Sequence, residues 1–354
     1  MKKAISLILA ATLAMGALAG CGGASSSASS ASGAGSAPAS PTASAPAPAE
    51  SSEAASTPAV DEIRVAMVLK TLSNPFWVDM ADGIQAEAEK LGVTADIFAV
   101  DAETDIDGQL KKCEDAINSG SYDGLGVAPI TATNLISAVV AANQKGMPVV
   151  NIDAKIDEDA LKEAGGYVVG FATSDNHKVG AIGAQYIMEQ LPDGGKVAII
   201  EGRAGDLSGE LRRDGCKETL EADGSGKYQV VDVQPADWDR QKALDVATNI
   251  ITKTPDLNAF FVANDTMALG VMQAIANTGN TGKILLVGTD ASDETKEAIK
   301  AGNMVAVCQD PAAIGATCLD ILVDAIKAGE TGSPDYEAVS KLVDANLVTK
   351  ENVA

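Results

Sequence analysis

Apolar, β-branched runs alternate with amphipathic segments along most of this chain, and this alternation limits the fold more than any other feature. The runs are continuously apolar, as expected of strands that helices cover on both faces. Repeated strand–helix–strand units at this spacing predict βαβ units and parallel sheets, so we assign the chain to the α/β class. The predicted strands are Ile63–Leu69, Ala95–Val100, Gly124–Ala128, Pro148–Ile152, Tyr167–Phe171, Lys196–Ile200, Gln229–Val233, Ala259–Ala263, Ile284–Gly288 and Met304–Cys308.

A weak internal repeat indicates that this pattern is used twice. The predicted helix Phe76–Leu91 follows a strand and a polar loop, and it contains Asp82-Gly83. The predicted helix Gly209–Ala222 follows the same arrangement and contains Asp214-Gly215. We therefore predict two similar, doubly wound, Rossmann-like lobes.

The beginning of the chain is of a different kind. Lys2 and Lys3 precede the apolar stretch Ala4–Leu18, which is typical of an export signal and too short for a comfortable membrane span. Leu18-Ala19-Gly20-Cys21 resembles a bacterial lipobox, so we expect residues 1–20 to be removed and Cys21 to be lipidated. Plain secretion with an unmodified Cys21 is the alternative. In either case the protein is exported, anchored to the outer face of the cell membrane or periplasmic.

Residues 21–60 are almost entirely Ser, Ala, Gly and Pro after the cysteine, which predicts a disordered linker. The formal net charge of −23, with no basic patch, disfavours a nucleic-acid partner. Cys113, Cys216, Cys308 and Cys318 are not spaced like a metal site; buried free thiols are favoured over disulfides. His177 is the only histidine, so neither a zinc site nor a conventional catalytic triad is supported. We expect no metal, no cofactor and no catalytic residue.

Two adjacent aromatic residues mark a candidate binding surface at the first strand-to-helix turn. Aromatic residues make up only 3% of the chain, yet Phe76 and Trp77 lie side by side after a polar loop. Such a flat apolar surface stacks on the C–H face of a sugar, and Lys70 and Asn74 would bind its hydroxyls at the edge. The alternative is that both rings only pack the first turn of a core helix.

Polar side chains follow the ends of many other predicted strands. Ligands of open parallel sheets bind outside the carboxyl ends of the strands. Asp265 and Ser292 fit ordinary helix N-caps, but capping does not explain why Gln, Trp and Asn recur at successive ends. The residues concerned are Asp153, Glu201, Trp238, Asn264, Asp290 and Gln309.

Five motifs follow one another along residues 61–354: Leu69–Met80, Asn151–Asp157, Pro235–Arg240, Ala263–Gly270 and Val287–Asp290. Together they resemble the pentose- and hexose-binding periplasmic proteins of ABC importers, over essentially all of this range. The resemblance is greater to the allose-binding members than to the ribose-binding members. It implies a type I periplasmic-binding-protein fold, with two Rossmann-like lobes joined by a three-crossover hinge and a sugar in the cleft.

The same resemblance implies a ligand set and a division of the chain. The stacking rings would be Phe76, Trp77 and Trp238, and the polar contacts would be Lys70, Asn74, Asp153, Arg212, Asn264, Asp290 and Gln309. Residues 61–173 with 310–338 would form the N-terminal lobe, and residues 174–309 with 339–354 the C-terminal lobe. Three positions depart from the family pattern and leave the accepted sugar open: Ala128, Ala154 and Asp206.

These observations predict a lipid-anchored, monomeric receptor that captures a monosaccharide and delivers it to an ABC permease. A D-allose-like hexose is favoured, with ribose or a related sugar as the alternative ligand. A sugar or polyol sensor that signals through a membrane receptor stays open as an alternative function. An acidic stretch at Asp101–Asp107 alternates like a calcium loop but lacks the required Gly and Glu, so we predict a solvated loop there.

Overall fold

The structure, a computed structural model, describes residues 62–354, and strands and helices alternate through this range. The predicted export signal at 1–20, the lipidated Cys21 and the linker to residue 60 lie outside it. The strands are β1 (Arg64–Thr71), β2 (Thr94–Val100), β3 (Gly124–Val127), β4 (Val149–Ile152), β5 (Gly170–Ser174), β6 (Gly195–Glu201), β7 (Tyr228–Pro235), β8 (Ala259–Val262), β9 (Leu285–Thr289), β10 (Val305–Cys308), β11 (Val339–Val343) and β12 (Asn346–Val348). The helices are α1 (Pro75–Leu91), α2 (Ile106–Ser119), α3 (Ile136–Gln144), α4 (Glu158–Glu163), α5 (Asn176–Gln190), α6 (Leu207–Ala222), α7 (Arg240–Lys253), α8 (Asp265–Asn277), α9 (Asp293–Lys300) and α10 (Pro311–Ala328).

The strands form two six-stranded sheets. The first has the order β11-β5-β4-β3-β1-β2 and the second β12-β10-β9-β8-β6-β7. All neighbouring strands are parallel except β10 and β12, which are antiparallel. In each sheet the order reverses beside one strand, β1 in the first and β6 in the second, which is where ligands bind in doubly wound folds. The predicted fold class is confirmed.

Helices cover both faces of each sheet and separate its core into two layers. In the first lobe, Ile84 of α1 and Leu319 of α10 pack on one face, and Val139 of α3 packs on the other. In the second lobe, Ala247 of α7 and Val271 of α8 cover one face, while α5 and α6 cover the other. Because the middle of β1 is buried on both faces, Val65–Leu69 is apolar without interruption.

The chain passes between the lobes three times: after β5, after β10 and after β11. Our prediction for residues 339–354 is therefore wrong in part. Val339–Val343 pairs in register with β5 and extends the first sheet, whereas only the segment from Asn346 onward joins the second. We propose that the two lobes otherwise have the predicted boundaries.

Each of the ten predicted strands overlaps an observed strand, although Tyr167–Phe171 is displaced toward the N-terminus relative to β5. The four cysteines of the described range are unpaired; three are buried and Cys308 is half-buried. The prediction of buried free thiols is therefore confirmed for Cys113, Cys216 and Cys318. Within residues 62–354, no helix combines the length and apolarity needed to cross a membrane.

Candidate functional site

A cavity lies between the two lobes, at the carboxyl ends of strands from both sheets. The space between its lining atoms amounts to about 340 Å³, which includes solvent at its open side. We call it the cleft cavity. Its lining residues are Lys70, Asn74, Phe76, Trp77, Glu103, Asp153, Asp206, Ser208, Arg212, Trp238, Asn264 and Asp290.

The structure brings nine of the ten predicted contact residues together around the cleft cavity. The exception is Gln309, which is 2% exposed and lies behind the wall, where its Nε2 donates a hydrogen bond to Asp290 Oδ1. The Gln309 Oε1 atom has no hydrogen-bond partner within the described range. Gln309 was predicted to contact the sugar directly. In the structure it instead lies behind the cavity wall and supports Asp290.

The aromatic lining comes from both lobes. Phe76 and Trp77 pack edge to face, with ring centroids 5.1 Å apart and an interplanar angle of 87°. Both are also part of the core between α1 and the first sheet. The rings therefore pack the helix and also line the cavity, so packing is not their only role. Trp238 provides the aromatic surface of the second lobe.

Trp238 depends on a close approach to Gly202, which follows β6. A Cβ atom at Gly202 would collide with the indole ring of Trp238, so only glycine leaves room for the ring at this position. Gly209 of α6 lies against the same ring, because a Cβ atom at Gly209 would be 3.1 Å from Trp238 Cη2. These two glycines allow the Trp238 ring to approach the end of β6 closely and line the cleft.

Lys70 is held in a cage of acidic and aromatic groups. Its Nζ atom lies 3.1 Å from Asp206 Oδ2, 4.0 Å from Glu103 Oε2 and 5.5 Å from the centroid of the Trp77 ring. Burial alone would lower the pKa of Lys70, but the carboxylates of Asp206 and Glu103 raise it above its ordinary value. Lys70 is therefore a charged donor at neutral pH.

The Asp206 carboxylate is held from two sides. Although burial alone would raise its pKa, the Lys70 ammonium and a hydrogen bond from Ser208 lower the pKa of Asp206 to about 2. Its Oδ1 accepts hydrogen bonds from the Ser208 backbone N–H at 3.2 Å and from the Ser208 hydroxyl at 2.7 Å. Asp206 thus caps the N-terminus of α6 while it pairs with a lysine of the other lobe.

Arg212 presents one side of its guanidinium to the cleft cavity. Its Nε donates to Asn176 Oδ1 at 2.8 Å and its Nη1 donates to the Ala263 carbonyl at 2.7 Å. These bonds fix the plane of the group, which is only 4% exposed. The guanidinium carbon lies 6.0 Å from the Trp238 ring centroid. Nη2 has no hydrogen bond to another described residue, so it is the nitrogen free to bind a ligand.

Two asparagines cap helices and line the cavity with the same side chain. Asn74 Oδ1 accepts from the Phe76 N–H at 3.1 Å at the start of α1, and Asn264 Oδ1 accepts from the Met267 N–H at 2.9 Å at the start of α8. The N-cap of α8 is therefore Asn264. The prediction of Asp265 as the N-cap is wrong, because Asp265 is the first residue of the helix. In each case the amide NH₂ is left as a donor for a ligand.

Asp153 and Asp290 place two carboxyl groups deep in the cavity. Burial raises the pKa of Asp153 to about 6, despite the opposing effect of Arg212 and Lys70. Burial also raises the pKa of Asp290. Behind it, burial and the neighbouring Asp290 raise the pKa of Asp265 to about 7. The site therefore holds carboxyl groups that change protonation near neutral pH.

Strained backbone is concentrated at this site. Within the described range, the non-glycine residues with positive φ are Asp153 (52°), Asp237 (53°), Trp238 (63°), Asp290 (96°) and Ala291 (59°). All follow directly on β4, β7 or β9, and three of them line the cleft cavity. Such conformations cost free energy and persist where the surroundings enforce them, which is typical of functional sites.

The sequence did not predict Glu103 and Ser208 as lining residues, and it left the effect of Asp206 on the accepted sugar open. The acidic loop Asp101–Asp107 is exposed, as predicted, except at Glu103. Glu103 lines the cavity and accepts the Trp77 Nε1–H at 3.0 Å. The sequence signal that could have identified Glu103 is its position just after β2, the strand beside β1 in the sheet. Ser208 was also missed. Of the three positions that depart from the family pattern, Asp206 lines the cavity, Ala154 lines a neighbouring groove, and Ala128 is buried in the core.

A two-lobed α/β fold with a polar and aromatic cavity in its cleft is typical of a ligand-binding protein, and the comparison with known families agrees. The family described as periplasmic binding protein domain matches residues 65–331, so the chain belongs to the periplasmic binding proteins. It is 51% identical over 297 residues to the D-allose-binding periplasmic protein of Escherichia coli, covering 83% of this chain and 94% of that protein.

Two further relatives belong to the same group. The ribose import binding protein of Salmonella typhimurium is 33% identical over 293 residues, which cover 82% of this chain and 94% of the relative. The structure of an ABC transporter periplasmic solute binding protein from Actinobacillus succinogenes with bound D-allose superimposes with a TM-score of 0.75 at 29% identity. That match covers 82% of this chain and 98% of the other.

Proposed function

We propose that this protein captures a monosaccharide, with D-allose favoured, in the cleft cavity and delivers it to an ABC permease in the membrane. The observation that carries the proposal is that aromatic rings and hydrogen-bonding groups from both lobes converge on one cavity in the cleft. Membership of the periplasmic binding proteins and 51% identity to a D-allose-binding protein support the choice of ligand.

The chemistry of the wall suits a polyhydroxylated, uncharged ligand. Carboxylates accept from adjacent hydroxyls, while Lys70, Arg212 and the two asparagine amides donate to sugar oxygens. Phe76, Trp77 and Trp238 offer apolar surface to the sugar C–H groups. Binding alone serves this function, so we assign no covalent step.

The charge of the wall selects against anions. Four carboxylates, from Glu103, Asp153, Asp206 and Asp290, face only two cations, Lys70 and Arg212. The potential in the cavity is negative when these acids are ionised, which opposes sugar acids and sugar phosphates.

Bound sugar favours closure because it contacts both lobes, and the closed form would then dock on the permease. Lipid on Cys21 would keep the protein at the outer face of the membrane, and the family supports an exported location. We propose that the protein acts as a monomer.

The test is isothermal titration of the full chain with D-allose, D-ribose, D-galactose, D-xylose and myo-inositol, with D-glucuronate as an anionic control. The protein is first refolded from denaturant, which removes any sugar carried through purification. We expect saturable binding with D-allose bound more tightly than the other sugars, and no binding of D-glucuronate. Absence of binding to every neutral sugar would contradict the proposal.

A further inference from the structure

One ion pair joins the two lobes across the cleft. Lys70 lies at the end of β1 in the first lobe, and Asp206 lies at the N-terminus of α6 in the second. Their charged atoms are 3.1 Å apart, and the side chains are 4% and 9% exposed. In residues 62–354 this is the one side-chain hydrogen bond that links the lobes away from the crossover segments.

Asp206 is held in place from its own lobe. Ser208 donates two hydrogen bonds to Oδ1, which leaves Oδ2 directed at Lys70. The carboxylate also lies at the N-terminus of a 16-residue helix, where the helix dipole favours negative charge. The pair therefore connects Lys70 to the whole of α6 and not to a mobile surface loop.

Lys70 is held in place from the other lobe. Glu103 lies beside its ammonium and is itself fixed by the Trp77 indole N–H at 3.0 Å. A continuous chain of hydrogen bonds and close charges thus runs from Trp77 through Glu103 and Lys70 to Asp206. Every contact in this chain is made between groups of the protein itself, with the Lys70 ammonium between the two carboxylates.

We propose that Asp206 is a positioning residue that acts through Lys70 to latch the lobes together before any sugar binds. The proposal rests on the proposed function, in that the latched cleft is the site that receives the sugar. Ligand-free protein then spends part of its time closed, and a sugar binds only after the latch opens. The same pair holds the lobes together once the sugar is inside.

This arrangement predicts an unusual kinetic effect for Asp206→Asn. The amide keeps an oxygen for Ser208, so the α6 cap is retained, but the charge opposite Lys70 is lost. Loss of an ordinary ligand contact raises only the dissociation rate. Loss of a latch raises the association rate as well, because more of the ligand-free protein is open.

The two tryptophans of the chain provide a direct readout without sugar. Trp77 and Trp238 are the only ones, both line the cleft cavity, and they belong to different lobes. We expect acrylamide to quench ligand-free Asp206→Asn severalfold more strongly than the ligand-free parent protein. Asp206→Glu, which keeps the charge, should restore the protection. Asp105→Asn makes the same change at the exposed N-cap of α2 and should behave like the parent protein.

Stopped-flow fluorescence with D-allose completes the test. Association and dissociation rate constants should both rise in Asp206→Asn, the latter by about tenfold or more. Equal quenching of parent and variant without sugar, or an association rate that does not rise, would overturn the proposal. If Asp206→Asn does not fold, Lys70→Met breaks the same pair and must show the same increase in quenching. Since the quenching comparison uses no sugar, it tests the latch even if D-allose fails to bind.

Discussion

Asp153 combines three properties that rarely occur together in one residue. Its backbone has a φ of 52°, its side chain is buried, and its pKa is raised to about 6, mainly by burial. The Thr173 hydroxyl donates to Oδ1 at 3.1 Å, which leaves Oδ2 for the cleft cavity. A carboxyl group in this position changes its hydrogen-bonding capacity as the pH passes through about 6.

Sugar affinity should therefore fall as the pH drops through about 6. Ionised Asp153 accepts hydrogen bonds from two sugar hydroxyls, whereas the protonated form loses part of that capacity. We expect the affinity for D-allose to decline severalfold between about pH 7 and about pH 5, in titrations at constant ionic strength. Asp153→Asn should bind more weakly at pH 7 and show a flatter profile. An identical profile in parent and variant would exclude Asp153 as the source.

The same raised pKa has the opposite effect on folding. Because the folded-state pKa lies above the ordinary value of 3.8, protonated Asp153 favours the folded form. That stability is fully present below about pH 3.8 and is lost as the pH rises through about 6. The site thus retains a carboxylate that reduces stability at the pH at which it binds best.

Truncation of the second-lobe ring tests the stacking surface. Trp238→Ala should weaken D-allose binding by roughly 1–3 kcal/mol, through lost stacking and an unfilled space beside Gly202. Trp238→Phe keeps a ring and should lose less, so calorimetric titration of the three proteins gives a graded series. If Trp238→Ala bound as tightly as the parent protein, Trp238 would have no part in the site.

Single residues also show where prediction from sequence ends. Strand ends identified Asp153, Asn264 and Asp290 because parallel strands place their carboxyl ends at one edge. The pairing of Lys70 with Asp206 was not predictable, since it depends on how two separately folded lobes meet. Glu103 was misinterpreted because its acidic neighbours are exposed, whereas its own side chain turns inward toward Trp77.

At the scale of helices, two glycines of the internal repeat have the same structural role. Gly83 of α1 touches the backbone of Ala312 in α10, and Gly215 of α6 touches the backbone of His177 in α5. In each lobe a central glycine thus allows two helices to pack with their backbones in contact. The repeat found in the sequence corresponds to a repeated helix–helix contact.

Gly83→Ala should therefore destabilise the first lobe. The added methyl group would overlap the Ala312 backbone, and overpacking of this kind costs about 1–3 kcal/mol. Denaturant unfolding measures this loss of free energy, with the exposed neighbour change Asp82→Ala as control. A Gly83→Ala protein as stable as the control would mean that α1 and α10 can move apart at no cost.

The strands that were predicted correctly have most of their residues buried or half-buried. Continuous apolar character identified ten strands, and Asn74 and Gly92 mark the ends of α1 as capping residues do. The strand β11 was missed because four of its five residues are exposed, so it has no apolar run to recognise. Its assignment to the first sheet depends on pairing with β5, which the sequence pattern does not encode.

The whole molecule consists of two separately cored lobes with few links between them. Each sheet has its own two core layers, and the lobes are connected by three crossovers and by the Lys70–Asp206 pair. A bound sugar would add contacts to both lobes and so link them further. Cooperativity between the lobes should therefore depend on the ligand.

Scanning calorimetry of the full chain should show this dependence. Without sugar, we expect unfolding to be broader than a two-state transition, because the lobes can unfold separately. With D-allose at a hundred times its Kd, the folded form gains about 2.7 kcal/mol, so the transition should sharpen and move to higher temperature. A sharp two-state transition in the absence of sugar would contradict this expectation.

The strained backbone after β4, β7 and β9 has a consequence for how this protein can acquire new ligands. Aspartate, asparagine and glycine tolerate positive φ far better than branched or bulky residues do, so few replacements are open at Asp153 and Asp290. Lys70, Asn74 and Ser208 carry no such restriction. Divergence in natural relatives, and libraries built to evolve sensors for other sugars, should therefore find new specificities at the unstrained half of the wall.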